Sequence, residues 1–194
     1  GDGRATYVST GDVDGDGDED IVVTLGPIRS YAEFPNIVVV RDAKTRQVIG
    51  HSFMAFPMGN QSDVQYSGGE IRTAVGDFLG NGKKQIACAQ GRGGNAMVRL
   101  YQYTGQPAPN SYEVVGQING LVAVAKTSNA NGGITLAAGD LDNDGKDELL
   151  AGQTASPASV SLFHLLDINE NGSVARRIAF TGFTKKFRGN GGIE

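Results

Sequence analysis

Short runs of apolar and β-branched residues recur along the whole chain, separated by turn-forming residues such as glycine, asparagine and aspartate. Within windows of about 11 to 18 residues, no stretch sustains the apolar periodicity of an amphipathic helix. The pattern therefore predicts strands throughout. Four are predicted in each third of the chain: Ala5–Ser9, Asp20–Leu25, Ile37–Arg41, Gln47–Phe53; Glu70–Val75, Gln85–Ala89, Ala96–Tyr103, Tyr112–Ile118; Ile134–Ala138, Glu148–Ala151, Ser159–Leu166, Ser173–Phe180.

A segment that begins Gly-Asp and ends in an apolar run occurs three times, anchored at Asp12, Asp77 and Asp140. Four antiparallel strands that recur with one shared loop are typical of a β-propeller blade, whereas β-solenoid repeats are shorter. We therefore predict an all-β fold with three β-propeller blades of four antiparallel strands each. The predicted units are residues 1–67 (blade 1), 68–131 (blade 2) and 132–190 (blade 3), with residues 191–194 beginning a fourth repeat.

The composition sharpens this prediction. Glycine makes up 29 of 194 residues, which disfavours helices. The net charge is −4, and 11 of the 21 acidic residues fall within residues 12–20 and 140–148, a concentration that favours metal binding. Basic residues are scattered apart from a C-terminal group with little aromatic interleaving, so we expect no nucleic-acid partner. That group is Arg176, Arg177, Lys185, Lys186 and Arg188. No apolar run approaches the roughly 20 residues that a bilayer requires, so we expect no membrane insertion.

The first and third copies of the shared loop carry oxygen ligands at alternate positions. Counted from the first aspartate, glycine at position 6 makes a tight turn, and this arrangement of hard ligands suits Ca²⁺ better than Mg²⁺. An EF-hand would need a glutamate at position 12 and flanking helices, but Val23 and Ala151 stand there within predicted strands. We predict two structural calcium ions per chain. The predicted ligands are Asp12, Asp14, Asp16, Asp20 and the Asp18 carbonyl, and Asp140, Asp142, Asp144, Glu148 and the Lys146 carbonyl.

The middle loop, residues 77–85, departs from this pattern. Asp77 is its only carboxylate, because Leu79 and Gln85 occupy positions 3 and 9. Two lysines, Lys83 and Lys84, add positive charge. We predict a loop of the same shape that holds no calcium, with a lysine in the place of the ion.

The pattern Gly-Asp-x-Asp-Gly-Asp-Gly-x-x-Asp before an apolar strand resembles the FG-GAP (VCBS-like) repeats of integrin α-subunit propellers and many bacterial surface proteins. The resemblance extends over nearly the whole chain, and loops 12–20 and 140–148 match well. It implies a β-propeller in which calcium joins strands 1 and 2 of a blade and has a structural role. Propellers of this family usually have about seven blades, more than this chain supplies.

Two functional classes are consistent with these features. The first is a non-enzymatic, calcium-stabilised binding or adhesion module outside the cytoplasm, whether extracellular, on the cell surface or periplasmic. The second is part of a propeller enzyme acting on polysaccharide or phospholipid. We favour the first, because no catalytic constellation is visible and His51 and His164 both lie within predicted strands.

Blade topology predicts where a ligand would bind. Loops between strands 2 and 3 and between successive blades emerge opposite the calcium loops. They carry aromatic, Met and Arg residues of the kind enriched at interfaces, so we expect a protein or carbohydrate ligand there. These residues are Arg29, Tyr31, Phe34, Met58, Tyr66 and Arg92.

Three blades are fewer than the roughly four to eight that close a propeller ring. The Gly191-Gly192-Ile193 segment matches the start of the second repeat, which suggests that another blade follows. We therefore expect a homodimer that closes a six-bladed ring, or a fragment of a longer propeller.

Overall fold

The computed structural model describes residues 6–25, 37–56, 70–91, 97–121, 133–153 and 162–181. Within these ranges every regular element is a strand, which confirms the predicted all-β class. The strands are β1 (Thr6–Gly11), β2 (Asp20–Leu25), β3 (Ile37–Asp42), β4 (Phe53–Met54), β5 (Ile71–Gly76), β6 (Gln85–Gln90), β7 (Val98–Tyr103), β8 (Tyr112–Ile118), β9 (Ile134–Gly139), β10 (Glu148–Gln153), β11 (Leu162–Ile168) and β12 (Val174–Thr181).

The strands form three open, four-stranded antiparallel sheets of consecutive strands. The first contains β1–β4, the second β5–β8 and the third β9–β12, and we call them blades 1, 2 and 3. This architecture confirms the predicted fold class. The loop of each repeat joins the first two strands of its blade, so it lies at one end of the sheet.

The prediction for the fourth strand of blade 1 was wrong. Instead of a strand over residues 47–53, the structure has an isolated bridge between Arg41 and Val48 and then the two-residue strand β4. Gly50 interrupts the strand at φ 66°, and a Cβ on it would lie 2.6 Å from the Ser111 side chain. Ile49 keeps a hydrogen bond to β3, because its N–H donates to the Val40 carbonyl at 3.0 Å, while its own carbonyl accepts the Tyr112 hydroxyl of blade 2 at 2.7 Å.

The apolar core lies between the blades. One cluster joins blade 1 to blade 2 and the other joins blade 2 to blade 3. We call the side of a blade that faces the preceding blade its front face and the opposite side its back face. In β6 the side chains of Ile86 and Cys88 pack from the front face of blade 2 onto blade 1, and Ala87 and Ala89 pack from its back face onto blade 3. Because both faces are covered, β6 is buried along its whole length, and a continuous apolar run, 86–89, lies between its two glutamines.

The first strands of neighbouring blades approach one another closely. Ser9 and Thr73 share a hydrogen bond of 2.8 Å between their hydroxyls. A Cβ on Gly11 would lie 2.3 Å from the Val75 side chain, so only glycine allows this approach. This packing holds the loops of successive blades at the same end of the molecule. There the Asp147 carboxylate of blade 3 accepts the Asp77 N–H of blade 2.

Candidate metal centres

The loop between β1 and β2 brings three carboxylates together. Ligand oxygens of Asp12, Asp14 and Asp20 all lie within 4.8 Å of one another. Gly15 and Gly17 turn the chain with φ of 81° and 92°, and their N–H groups donate to the Asp12 carboxylate at 2.8 and 3.0 Å. Asp20, the first residue of β2, accepts the Val13 N–H at 2.8 Å. The backbone thus holds both ends of the ligand set in place.

The loop between β9 and β10 repeats this arrangement with Asp140, Asp142 and Glu148. The Asp140 carboxylate accepts the N–H groups of Asp144 and Gly145 at 3.1 and 3.0 Å, and Glu148 accepts that of Leu141 at 2.7 Å. Asn143 adopts φ of 60°, a left-handed conformation that asparagine tolerates better than most residues. Two loops of different sequence therefore converge on one ligand geometry.

Two predicted ligand residues, Asp16 and Asp144, lie outside these sets of three. Each carboxylate accepts a main-chain N–H two residues on, from Asp18 at 2.8 Å and from Lys146 at 2.9 Å. Each of these hydrogen bonds holds the backbone at position 7 of its loop. The role of Asp16 and Asp144 as metal ligands stays a prediction.

Asp18 and Lys146 were predicted to bind calcium through their carbonyl oxygens. Their side chains form ion pairs with the neighbouring strand 3 region of the same blade: Lys44 with Asp18 at 2.7 Å, and Lys146 with Asp167 at 2.6 Å. These ion pairs involve only side chains, so the role of the two carbonyl oxygens as calcium ligands stays a prediction.

Burial, and then the crowding of like charges, raises the pKa values of Asp14, Asp20 and Glu148. Burial, followed by the charge of neighbouring aspartates, raises the pKa of Asp20 to about 6. Burial and the charges of Asp16, Asp12 and Asp42 raise that of Asp14, and burial and the three loop aspartates raise that of Glu148. A cation among these groups would favour their charged forms, so the electrostatics fit a metal ion.

The middle loop keeps the same backbone scaffold. Asp77 accepts the N–H groups of Asn81 and Gly82 at 3.0 and 2.8 Å, as Asp140 does in its loop. Its centre is occupied by the Gln85 side chain. The Gln85 amide donates to the Lys83 carbonyl at 2.7 Å and lies 3.3 Å from the Asn81 side-chain oxygen.

These acceptors are the position 5 and position 7 groups that were predicted to bind calcium in the other two loops. The amide of Gln85, rather than a lysine, therefore lies where an ion is predicted in the other two loops, and the expectation of a lysine there was wrong. Lys84 instead forms an ion pair with Asp147 of blade 3 at 2.8 Å.

Sequence reasoning missed a residue on the third strand of each blade. Asp42 pairs with Asp20 across the sheet, and Gln102 pairs with Gln85, whose amide donates to it at 3.1 Å. Asp167 on β11 accepts the Lys146 ammonium. The sequence did contain a signal for these residues, because each third strand has an acidic or amide residue near its end.

The residues predicted to form a ligand face, Arg29, Tyr31, Phe34, Met58, Tyr66 and Arg92, lie outside the described residues, as does the predicted fourth repeat at 191–194. His164 is buried and accepts a hydrogen bond from Arg177 at 3.1 Å. In the part of the chain that the structure describes, no helix is long and apolar enough to cross a membrane.

Comparison with known proteins identifies one repeat directly. Residues 132–175 match the FG-GAP repeat family, a span that covers the acidic loop of blade 3 and all of β9, β10 and β11. No curated protein was matched as a relative of the chain. The segment 132–175 therefore belongs to the FG-GAP repeat family, and the chain is built of three β-propeller blades that share its strand order.

Proposed function

We propose that this chain is a non-enzymatic binding or adhesion module outside the cytoplasm, whose blades are stabilised by two calcium ions. The observation that carries the proposal is the convergence of three carboxylates in each of two equivalent loops. Ca²⁺ takes oxygen ligands in a flexible coordination geometry, and Mg²⁺ is less suited to such an all-protein site. Asp12, Asp14 and Asp20 would hold one ion, and Asp140, Asp142 and Glu148 the other.

The middle loop supports a structural rather than catalytic role for the ions. There the Gln85 amide contacts the same loop positions, and the backbone scaffold around Asp77 is retained. A neutral amide could not supply the Lewis acidity of a catalytic metal, but it can link the two ends of a loop. Calcium in the other loops would accordingly join the first and second strands of blades 1 and 3.

The proposed location and ligand follow from this chemistry. A site built for calcium is best filled where free calcium is abundant, which is outside the cytoplasm. We assign the ligand, a protein or a carbohydrate, to the face opposite the acidic loops, on the aromatic and arginine residues predicted there from the sequence. Nothing in the charge distribution favours nucleic acid.

Calorimetric titration of calcium into chelator-treated protein tests the metal sites. We expect two ions bound per chain, one ion in either Asp14→Ala or Asp142→Ala, and two in the control Asn81→Ala, which alters the middle loop. A stoichiometry that does not change in the two aspartate variants would refute the assignment.

Chelation should also destabilise the fold. An ion that binds only the folded state at a hundred times its dissociation constant adds about 2.7 kcal/mol to the free energy of unfolding. For a chain of this size that corresponds to a melting midpoint higher by roughly 5 to 10 °C. An unchanged melting curve after EDTA treatment would contradict a structural role for calcium.

A further inference from the structure

The proposed calcium loop of blade 3 lies directly on the middle loop of blade 2, at the seam where these two blades pack together. The Asp147 N–H donates to the Asp77 carbonyl at 3.1 Å, and the Asp147 carboxylate accepts the Asp77 N–H at 2.7 Å. Lys84 donates to the same carboxylate oxygen at 2.8 Å. Asp147 therefore makes three polar contacts with blade 2, although it stands next to Glu148 in its own blade.

Two glycines of blade 2 allow this close contact. A Cβ on Gly76 would lie 3.0 Å from the Asp147 Cβ, and one on Gly80 would lie 3.2 Å from the Lys146 Cδ. Gly80 also has φ of 65°, a left-handed conformation that favours glycine. The second half of loop 140–148, which carries Glu148 and the Lys146 carbonyl predicted as a ligand, is thus held against blade 2.

The middle loop is held in shape by contacts of its own side chains. The Asp77 carboxylate accepts the Gly82 N–H at 2.8 Å. The buried side chain of Gln85 donates to the Lys83 carbonyl at 2.7 Å and accepts the Leu79 N–H at 3.1 Å. None of these contacts involves a residue of the two proposed metal sites, so the surface that blade 2 presents to blade 3 is formed independently of calcium.

Glu148 is the proposed ligand that this contact would position. It follows Asp147 directly and is the first residue of β10. Its side chain is buried, and its carboxylate accepts the Leu141 N–H at 2.7 Å. Asp147 fixes the main chain on one side of Glu148, and β10 fixes it on the other. A displacement of Asp147 would therefore move the Glu148 carboxylate relative to Asp140 and Asp142.

We propose that Asp147 and Lys84 are positioning residues for the calcium site of blade 3, so that the middle loop of blade 2 raises the calcium affinity of that site. The inference rests on the proposed function, since it requires calcium to bind in loop 140–148. Residues that orient metal ligands without contacting the metal commonly contribute about 10- to 100-fold to metal affinity. Because coupling between two sites is reciprocal, calcium in loop 140–148 should in turn strengthen the seam.

Calorimetric titration of calcium into chelator-treated protein tests the effect on affinity. The Asp14→Ala background leaves loop 140–148 as the site to be measured. In that background the double variant Asp147→Ala/Lys84→Ala should raise the dissociation constant about tenfold. The double variant removes one charge of each sign, so the loss would reflect positioning rather than charge. The matched control Lys83→Ala changes an exposed lysine of the same middle loop and should leave the constant unchanged.

The proposed calcium site of blade 1 provides the internal reference. In the Asp142→Ala background, which leaves loop 12–20, the same double variant should not change the dissociation constant. Equal weakening of both sites would indicate a general loss of stability and would overturn the proposal, and so would an unchanged constant in blade 3. Parent protein that binds no calcium would overturn the proposed function together with this inference, whereas normal binding with an unchanged double variant would overturn the inference alone.

Hydrogen exchange of the Asp77 amide tests the reciprocal effect in chains whose seam is intact. Its N–H is bound by the Asp147 carboxylate, so calcium should slow its exchange with solvent by about tenfold in the parent protein. The slowing should persist in Asp14→Ala, which keeps the site of blade 3, and should disappear in Asp142→Ala. Exchange that calcium does not slow in the parent, or slows equally in both variants, would overturn the proposal.

Discussion

At the scale of single residues, Gln85 occupies the loop position at which an ion is proposed in blades 1 and 3. It is fully buried, and its amide links Lys83, Gln102 and the backbone N–H of Leu79, which lies 3.1 Å from the amide oxygen. Leu79 itself is buried in the core, so its position in the loop can no longer supply a ligand without loss of packing.

We predict that Gln85→Ala destabilises the protein without changing its calcium stoichiometry. The substitution leaves the buried Leu79 N–H without its acceptor, which costs about 1 to 3 kcal/mol. The loss measured by urea unfolding should be the same in calcium and in EDTA. Asp20→Ala is the matched control, because its effect should be much larger in calcium. A Gln85→Ala variant that binds fewer ions would contradict this account of the middle loop.

His164 makes a residue-scale prediction about pH. Burial, and secondarily the charge of Arg177, lowers the pKa of His164 below its usual value of 6.5. The unfolded chain therefore binds a proton at a higher pH than the folded chain does. This contribution to stability is present above about pH 6.5 and is lost as the pH falls below it.

The comparison of the parent protein with His164→Gln isolates this effect. Urea unfolding between pH 7.5 and 5.5, in saturating calcium, should show a smaller loss of stability in the variant than in the parent. Equal pH dependence in the two proteins would show that His164 does not titrate as its surroundings indicate.

At the scale of elements, the loops of blades 2 and 3 are joined by one carboxylate. Asp147 accepts hydrogen bonds from the Asp77 N–H at 2.7 Å and from the Lys84 ammonium at 2.8 Å. Burial opposes ionisation, but these two donors outweigh it and lower the pKa of Asp147. The residue lies beside Glu148, so the proposed metal loop of blade 3 is anchored directly to its neighbour.

We predict that Asp147→Ala weakens this seam more than Lys84→Ala does. The first change removes the acceptor of the Asp77 N–H as well as the ion pair, and should cost about 1 to 3 kcal/mol. The second removes only a partly exposed ion pair, worth roughly 0 to 1 kcal/mol. Urea unfolding of both variants measures the difference. Equal effects would mean that the hydrogen bond contributes nothing.

In blade 1, the fourth strand packs against the neighbouring blade. Phe53 packs on Tyr101 and Tyr112 of blade 2 with ring centroids 4.6 and 4.7 Å away. The segment before it also contacts blade 2 through the Ile49 carbonyl, and its pairing with β3 is interrupted at Gly50, so β4 is only two residues long.

At the scale of the whole molecule, the apolar core lies between the blades, so the stability of each blade depends on its neighbour. We predict that Leu149→Ala, at a fully buried residue of blade 3 that packs in the seam with blade 2, lowers the free energy of unfolding by about 2 to 5 kcal/mol. The control Val114→Ala, at a residue that is 53% exposed, should change it by less than about 0.5 kcal/mol. Urea unfolding measures both variants, and equal losses would contradict a core located between the blades.

The sequence by itself determined the strand content, the threefold repeat and the two acidic loops. These features depend on local patterns: β-branched runs predict strands, glycine permits the turns at Gly17 and Gly145, and carboxylates at alternate positions of one loop lie close together in the chain. Tyr112–Ile118 is a strand with the predicted bounds for the same reason, since turn residues delimit it on both sides.

Only the tertiary structure decided which distant segments contact one another. Gln85 fills its loop because Gln102 on the next strand and the Lys83 carbonyl surround its amide, and no local pattern indicates such a contact. The short β4 and the Asp147 link both depend on how one blade lies against another. The same packing decides burial, because Phe78 and Leu141 occupy equivalent positions in the repeat, and of the two only Phe78 belongs to the core cluster of the described residues.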